Sequence, residues 1–135
     1  MPSGKRHYRL TFADALSAHE RALKFGGLDG MPNPSMIESA LARPYSGYYR
    51  RIELKVAALA ESMATNHGFA DGNKRTTVIL VHTLLTKSGY ELTPADDRES
   101  LNDAVEEMVL GIVNRTLKYD EVVRWFQHRI KRVRK

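Results

Sequence analysis

The sequence predicts a small all-α domain, and three observations support that fold class. Apolar residues recur three or four positions apart through most of the 135-residue chain. Proline and glycine cluster between Gly26 and Pro34 and elsewhere occur singly. No convincing run of alternating residues indicates a sheet, and Tyr90-Glu91-Leu92, although extended in character, has no evident partner. We therefore expect one domain over residues 1–135, with about six helices.

Two helices are predicted in the first third of the chain. Thr11 followed by Asp14 has the pattern of a capping box, and Gly26-Gly27 should end the helix that it opens. The predicted apolar face of this helix consists of Phe12, Leu16, His19 and Leu23. Asn33-Pro34 then has the pattern of an N-cap followed by proline at the first helical position. The short helix that begins there should end at about Arg43, before a proline.

The remaining helices follow from the same spacing. One apolar face, predicted for a helix that ends near Asn66, consists of Ile52, Val56, Leu59 and Met63. The segment from Thr77 to Leu85 is apolar almost all round, which predicts the buried central helix, ended by Gly89. Its expected core residues include Val78, Ile79 and Leu84. Two later helices are marked by Leu101, Val105, Met108 and Ile112, and by Val122, Phe126 and Ile130.

Composition excludes several classes of protein. The chain contains no cysteine, so disulfide scaffolds and thiolate metal sites are excluded. No apolar run approaches the roughly 18 residues needed to cross a membrane. The first ten residues are basic and polar and lack the apolar stretch of a secretion signal. We therefore expect a cytoplasmic protein that has no membrane partner.

The net charge of +5 is concentrated in a basic C-terminal tail at about residues 129–135. A tail of this kind could bind nucleic acid or an acidic protein. Cations also suit the C-terminal end of a helix, however, and no aromatic residue follows Arg129. We therefore expect a solvated helix end and do not expect nucleic-acid binding.

The most informative stretch is His67 to Arg75, with the sequence HGFADGNKR. Gly72 permits a backbone conformation that is closed to most residues, and Asn73 can cap the helix that follows. The N–H groups and the macrodipole of a helix start attract anions, and Lys74 and Arg75 add full positive charges there. Arginine can bind phosphate through two parallel hydrogen bonds. Residues 72–75 are therefore predicted to bind phosphate groups.

Three further residues of this stretch complete a chemical site. Asp71 would repel a phosphate unless a cation lies between them, and Mg²⁺ commonly bridges carboxylates and nucleotide phosphates. His67, with an ordinary pKa near 6.5, is a natural general base for a hydroxyl nucleophile. Phe69 is expected to anchor the loop to the core. Each residue alone also fits an ordinary cap, turn or solvated charge, but together within nine positions they indicate phosphate chemistry.

This stretch resembles the signature of the Fic/Doc superfamily, which matches at His67, Phe69 and all five positions from Asp71 to Arg75. Residues 26–28, 39–44 and 87–92 resemble the "death on curing" branch of Doc-like toxins, and the likeness spans about Tyr8 to Phe126.

The resemblance implies a role for each matching residue. His67 would deprotonate a Ser, Thr or Tyr hydroxyl of a target protein, and Asp71 would hold Mg²⁺. Gly72, Asn73, Lys74 and Arg75 would hold the phosphates of the co-substrate ATP, and Phe69 would anchor the loop. A segment with Tyr45, Tyr48 and Tyr49 lies where family members have a flap that aligns the target.

The departures from the family pattern bear on the reaction. AMP-transferring members have glycine where this chain has Lys74 and a further arginine where it has Val78. Kinase-type Doc toxins share the lysine but have alanine in place of Gly72. Lys74 and Val78 together favour phosphorylation, with adenylylation of a hydroxyl as the alternative. A second alternative, a non-catalytic helical module that binds nucleic acid, needs neither His67 nor Asp71.

The resemblance also implies partners. Doc-like relatives act on a translation elongation factor, which makes such a factor a possible substrate here. Many Fic enzymes inhibit themselves with a helix in which Ser or Thr stands four positions before a glutamate. No glutamate of this chain has Ser or Thr at that position. We therefore expect a separate inhibitor, an acidic antitoxin that covers His67 to Arg75.

Overall fold

The computed structural model describes residues 7–24, 33–65 and 73–133, in which it places six α-helices and two short strands. In chain order these are α1 (Phe12–Leu23), α2 (Pro34–Ala42), α3 (Ile52–Ala64), α4 (Asn73–Lys87), β1 (Tyr90–Leu92), α5 (Leu101–Val113), α6 (Tyr119–Gln127) and β2 (Ile130–Arg132). A 3-10 turn at Arg43–Tyr45 follows α2. Within these ranges, no helix is long and apolar enough to cross a membrane.

Helices α3 and α4 form the centre of the domain. They pack against each other, and α4 also contacts α1, α5 and β1. Helix α3 contacts α2, α5, α6 and the 3-10 turn. Eight side chains of α3 and six of α4 are buried, which confirms the predicted all-α fold with a buried helix at α4. Helix α3 shares that central position, so the core is built around a pair of helices.

The apolar residues of α4 divide between the core and a groove. The core receives Leu80, Val81, Leu84 and Leu85, all at most 1% exposed. Val78 and Ile79 are only half-buried and face a groove beside α5, so placing them in the core was wrong. Successive residues of a helix point about 100° apart, and an apolar run therefore cannot turn every side chain toward one neighbour.

Helix α1 begins as predicted, but its buried face is shifted from the predicted one: His19 is buried as expected, Phe12 and Leu23 are half-buried, and Leu16 is exposed. Thr11 Oγ1 accepts a hydrogen bond from Asp14 N at 3.1 Å, and Asp14 Oδ2 accepts one from Thr11 N at 2.9 Å, which confirms the capping box. Leu16 is 38% exposed, and the buried side chains are Ala15, Ala18, His19 and Ala22. Small alanines allow α1 to pack closely on α4. The helix ends at Leu23, and Gly26-Gly27 lies outside the described residues.

Strands β1 and β2 form a two-stranded antiparallel sheet, although the sequence shows no evident partner for the first of them. Tyr90 pairs with Arg132, and Leu92 pairs with Ile130. Helix α4 ends at Lys87, and Gly89, at φ +89°, turns the chain away from it, as predicted. Ile130 was therefore wrongly assigned to the apolar face of the last helix, and residues 130–132 of the tail form a largely exposed strand instead of a helix end. Pairing across some forty positions leaves no trace in local periodicity.

Arg129 connects this tail to the loop before α5. Its Nε donates to Glu99 Oε1 at 2.7 Å, and a terminal nitrogen contacts Glu99 Oε2, so the pair is bidentate. The guanidinium carbon lies 4.2 Å from the centre of the Trp125 ring. Hydrogen bonds from Arg129, and then from Ala95 N, lower the pKa of Glu99 from its ordinary value of 4.5 to about 2.

We expect the Glu99–Arg129 pair to make stability depend on acidity. Because the pKa of Glu99 is lower in the folded than in the unfolded chain, its stabilisation is complete above pH 4.5 and is lost as the pH falls toward about 2. Glu99→Gln should lower the free energy of unfolding near neutral pH and flatten its decline in acid, as measured by urea unfolding. Glu107→Gln, on the exposed face of α5, should change neither quantity. An unaltered acid decline in Glu99→Gln would contradict the pairing.

Candidate active site

The predicted phosphate-binding residues lie where α4 begins. Helix α3 ends at Ala64, with Thr65 as its C-cap, and α4 starts at Asn73. Four predicted site residues fall between the two helices and outside the described residues: His67, Phe69, Asp71 and Gly72. Their roles therefore stay predictions, whereas the last three positions of the predicted site are placed by the structure.

The first turn of α4 concentrates positive charge. Lys74 and Arg75 are exposed there, and this turn contains no acidic residue. The helix macrodipole adds a partial positive charge at the same end. The turn is held firmly, because Thr77 is fully buried and its Oγ1 donates to Asn73 O at 2.7 Å. The geometry at Asn73–Arg75 thus suits the binding of an anion.

A groove of about 630 Å³ lies beside these cations, between α4 and α5. Its apolar lining consists of Val78, Ile79, Val105, Val109 and Leu110. Its polar lining consists of Lys74, Arg75, His82, Asn102 and Glu106. A volume of this size, with an apolar wall and cations at one end, is typical of sites that bind a small ligand or a peptide segment.

His82 and Val78 determine the character of the groove along α4. His82 exposes part of its ring there, yet burial of the remainder lowers its pKa, so the imidazole is neutral at pH 7. Val78 follows Arg75 by three positions and therefore lies on the same side of the helix, one turn further on. The wall next to Arg75 is consequently apolar at this position.

The three tyrosines of the predicted flap differ in their surroundings. The hydroxyl of Tyr45 donates to Tyr8 O at 2.7 Å and accepts from Leu10 N at 2.9 Å, which ties the 3-10 turn to the N-terminal segment. Tyr49 is half-buried, and its ring centre lies 5.8 Å from that of Tyr119. Tyr48 is 86% exposed. Of the three, Tyr48 is therefore the side chain most available to a partner.

A clamp that sequence reasoning missed holds this segment in place. Arg43 contacts Glu61 Oε1 at 2.6 Å, and its Nε donates to the Tyr49 hydroxyl at 3.4 Å. The ring of Tyr119 lies against both Arg43 and Tyr49, and its hydroxyl donates to Leu54 O at 3.1 Å. Burial raises the pKa of Tyr119 to about 12. Glu61 belongs to the last turn of α3, so the clamp fixes the tyrosine segment to the helix from which residues 66–72 continue. These four residues lie far apart in the chain, and no spacing in the sequence predicts that they meet.

Carboxylates are sparse around the start of α4. The part of the chain that the structure describes contains no cluster of three or more His, Asp or Glu side chains able to hold a metal ion. Glu106 is the carboxylate among the described residues that line the groove. A Mg²⁺ ion near Lys74 would therefore depend on Asp71 and on the phosphate oxygens of a nucleotide. Sites with one or two carboxylates plus phosphates are usual for Mg²⁺, so the chemistry of this donor set fits.

Comparison with known proteins places these features in a family. Residues 7–85 match the Fic/DOC family, a range that covers more than half of the chain and runs from α1 almost to the end of α4. The chain is also 33% identical over 92 residues to the Toxin Doc of Mycolicibacterium smegmatis, an alignment that covers 64% of this chain and 71% of that protein. The matched range includes both the stretch from His67 to Arg75 and the three tyrosines. The chain therefore belongs to the Fic/DOC family, whose members are transferases that modify proteins.

Proposed function

We propose that this protein is a Doc-like toxin that transfers the γ-phosphoryl group of ATP to a Ser, Thr or Tyr hydroxyl of a target protein. The observation that carries the proposal is the positively charged first turn of α4, which lies at one end of a groove large enough for a nucleotide. Similarity to Toxin Doc supports the same branch of the family.

The proposed roles follow the chemistry of each side chain. His67 accepts the proton of the target hydroxyl as the oxygen attacks phosphorus, and the bond between that phosphorus and its leaving oxygen breaks. Lys74 and Arg75 hold the phosphates and offset the charge that spreads over the transferred group. Asp71 is the residue that would hold Mg²⁺, which supplies charge neutralisation between the carboxylate and the phosphates when bound.

The choice of phosphoryl over AMP transfer rests on Lys74 and Val78. Lys74 extends a cation at the mouth of the groove where AMP-transferring relatives have glycine, and Val78 leaves the adjoining wall apolar. One cation is therefore added near the helix start and another is missing one turn further along. This redistribution favours the nucleotide orientation that presents the γ-phosphate to the target; the alternative orientation presents the α-phosphate and gives adenylylation.

Labelled ATP separates the two reactions. We expect label from γ-labelled ATP, and none from α-labelled ATP, to appear on protein when the purified enzyme is incubated with a bacterial lysate. The paired substitution Lys74→Gly with Val78→Arg, which restores both AMP-transfer positions, should increase the yield from α-labelled ATP. Transfer of the α-label by the unaltered enzyme would contradict phosphorylation and support the alternative.

We propose that Tyr48 helps to align the target and that a translation elongation factor, the substrate of Doc-like relatives, is the protein modified. Tyr48 is exposed between two anchored neighbours, so it can meet a partner at little conformational cost. Such a target, like ATP, is cytoplasmic, and the proposed site of action is therefore the cytoplasm.

The inhibitor that we propose is a separate acidic antitoxin that covers His67 to Arg75. A net charge of +5 and the cations at the start of α4 attract an acidic segment and speed its association at low salt. The apolar wall between α4 and α5 offers buried area to the same segment.

Expression in bacteria tests the toxin assignment. We expect the unaltered protein to arrest growth and His67→Ala to relieve the arrest, because transfer requires the general base. His128→Ala, which removes an exposed imidazole at the end of α6, should arrest growth like the unaltered protein. If cells that express the unaltered protein grow normally, although the purified protein modifies its targets, both the toxin role and the need for an antitoxin are contradicted.

A further inference from the structure

A second cavity, of about 500 Å³, lies at the opposite end of α3 from the active-site loop. We name it the basic cavity after six lining residues that carry a charge or an aromatic ring: His7, Arg50, Arg51, Glu53, Tyr90 and Arg132. These residues come from the N-terminal segment, the start of α3 and the small sheet. The 13 residues of α3 extend about 18–20 Å, so the basic cavity is distinct from the first turn of α4.

The charges of the basic cavity are unbalanced. Arg50, Arg51 and Arg132 converge on it, and Glu53 is the carboxylate among its lining residues. Glu53 Oε1 lies 3.1 Å from Arg51 Nε and is thereby engaged. Within residues 7–24, 33–65 and 73–133, no carboxylate lies within ion-pair distance of Arg50 or Arg132. Three arginines that share one carboxylate leave an excess of positive charge, and a bound anion would offset that excess.

Lys55 adds a further cation behind the lining. Its Nζ donates to His7 Nδ1 at 2.8 Å and to Arg50 O at 3.4 Å, both uncharged acceptors. Burial, followed by the charge of Lys55, lowers the pKa of His7, while Glu53 opposes this effect. The ring is therefore neutral at pH 7, accepts at Nδ1 and carries its proton at Nε2. His7 thus keeps one donor for a ligand while Lys55 contributes positive potential.

Aromatic rings accompany these charges. The ring centres of His7 and Tyr90 lie 6.1 Å apart in an edge-to-face arrangement, and the guanidinium carbon of Arg132 lies 5.9 Å from the centre of the Tyr90 ring. Arginine matches phosphate oxygens through paired hydrogen bonds, and flat rings and guanidinium groups provide surfaces on which a base can stack. An acidic peptide would use the arginines but would have no need of the rings.

We propose that the basic cavity binds a phosphate-bearing nucleotide, supplied either as a free nucleotide or as one unit of an RNA strand. In this arrangement Arg50, Arg51 and Arg132 hold the phosphate, and His7 and Tyr90 contact the sugar or base. Arg132 of strand β2 then gives the basic tail a binding role apart from the transfer reaction.

Nuclear magnetic resonance of the full chain tests this site directly. We expect inorganic phosphate to shift the ring signals of His7 and to raise its pKa, because a bound dianion favours the charged imidazole against the opposing charge of Lys55. Arg50→Ala and Arg132→Ala should each weaken phosphate binding about tenfold. Arg132→Lys, which keeps the charge, should bind with intermediate affinity. Arg98→Ala, which removes an exposed arginine that does not line the basic cavity, should bind as the unaltered chain does.

The outcomes distinguish this site from the active site. In a double variant that carries both Asp71→Ala and Arg75→Ala, phosphate should still shift the ring signals of His7. This result is expected whether or not the proposed transfer reaction proves correct. Stronger binding of a short oligoribonucleotide than of a mononucleotide would assign the site to an RNA strand, and equal binding would assign it to a free nucleotide. Unmoved His7 signals, or an equal loss of affinity in Arg98→Ala, would overturn the proposal.

Discussion

Replacement of His67 by alanine is expected to lower transfer by about a hundredfold to ten-thousandfold, which is the usual cost of losing a general base. A target hydroxyl is a weak nucleophile at neutral pH, and an imidazole with a pKa near 6.5 can take its proton as the attack proceeds. Transfer of γ-label to a purified target measures the effect. ATP binding should be nearly unchanged, because the charges that we propose to bind the phosphates belong to Lys74, Arg75 and the start of α4.

The matched control for this experiment is His128→Ala. That substitution removes an imidazole whose Nδ1 lies 2.7 Å from Arg124 O at the end of α6, and it should leave transfer unchanged. Urea unfolding should give similar free energies for both variants, which separates loss of chemistry from loss of fold. Retained activity in His67→Ala would remove this residue from the mechanism.

Replacement of Leu84 by alanine is expected to lower the free energy of unfolding by about 2–5 kcal/mol. Leu84 is fully buried on α4, and truncation removes its apolar contacts and leaves a cavity where α4 meets its neighbouring helices. Thermal or urea unfolding, followed by circular dichroism, measures the loss. Since α4 also carries the proposed phosphate-binding turn at its start, activity should decline only to the extent that the folded population does.

Leu16→Ala is the control for that measurement. Leu16 is 38% exposed on α1, so removing the same atoms should cost less than about 0.5 kcal/mol. A similarly small cost for Leu84→Ala would show that α4 is peripheral and would contradict the architecture.

The clamp formed by Arg43, Tyr49, Glu61 and Tyr119 would support the binding of both proposed ligands, the target protein and the nucleotide. Arg43, Glu61 and Tyr119 hold the base of the segment that displays Tyr48, while the cations of α4 border a separate groove. A target that meets Tyr48 and a nucleotide that meets α4 would therefore be held by elements fixed to the same helix pair, α3 and α4. Rigid support of this kind keeps reacting groups aligned without ordering costs at the moment of binding.

Local signals determined much of the structure from the sequence alone. The capping box at Thr11 and Asp14 begins α1, and Asn33 accepts from Met36 N at 3.2 Å to begin α2. The buried face of α3 contains the four residues predicted for it: Ile52, Val56, Leu59 and Met63. Each signal acts within about one to three turns of helix, so the chain order of the residues is sufficient to reveal it. The motif from His67 to Arg75 likewise indicated the family.

Contacts between distant segments were decided only by the tertiary structure. The pairing of Tyr90 with Arg132 turned a supposed helix end into a strand, and close packing of alanines on α1 left Leu16 exposed. The clamp at Arg43 and the basic cavity likewise combine residues from several elements. Periodicity shows that a residue has an apolar or charged neighbour along its own helix. It carries no information about which other segment will lie opposite, because that depends on how all the helices pack together.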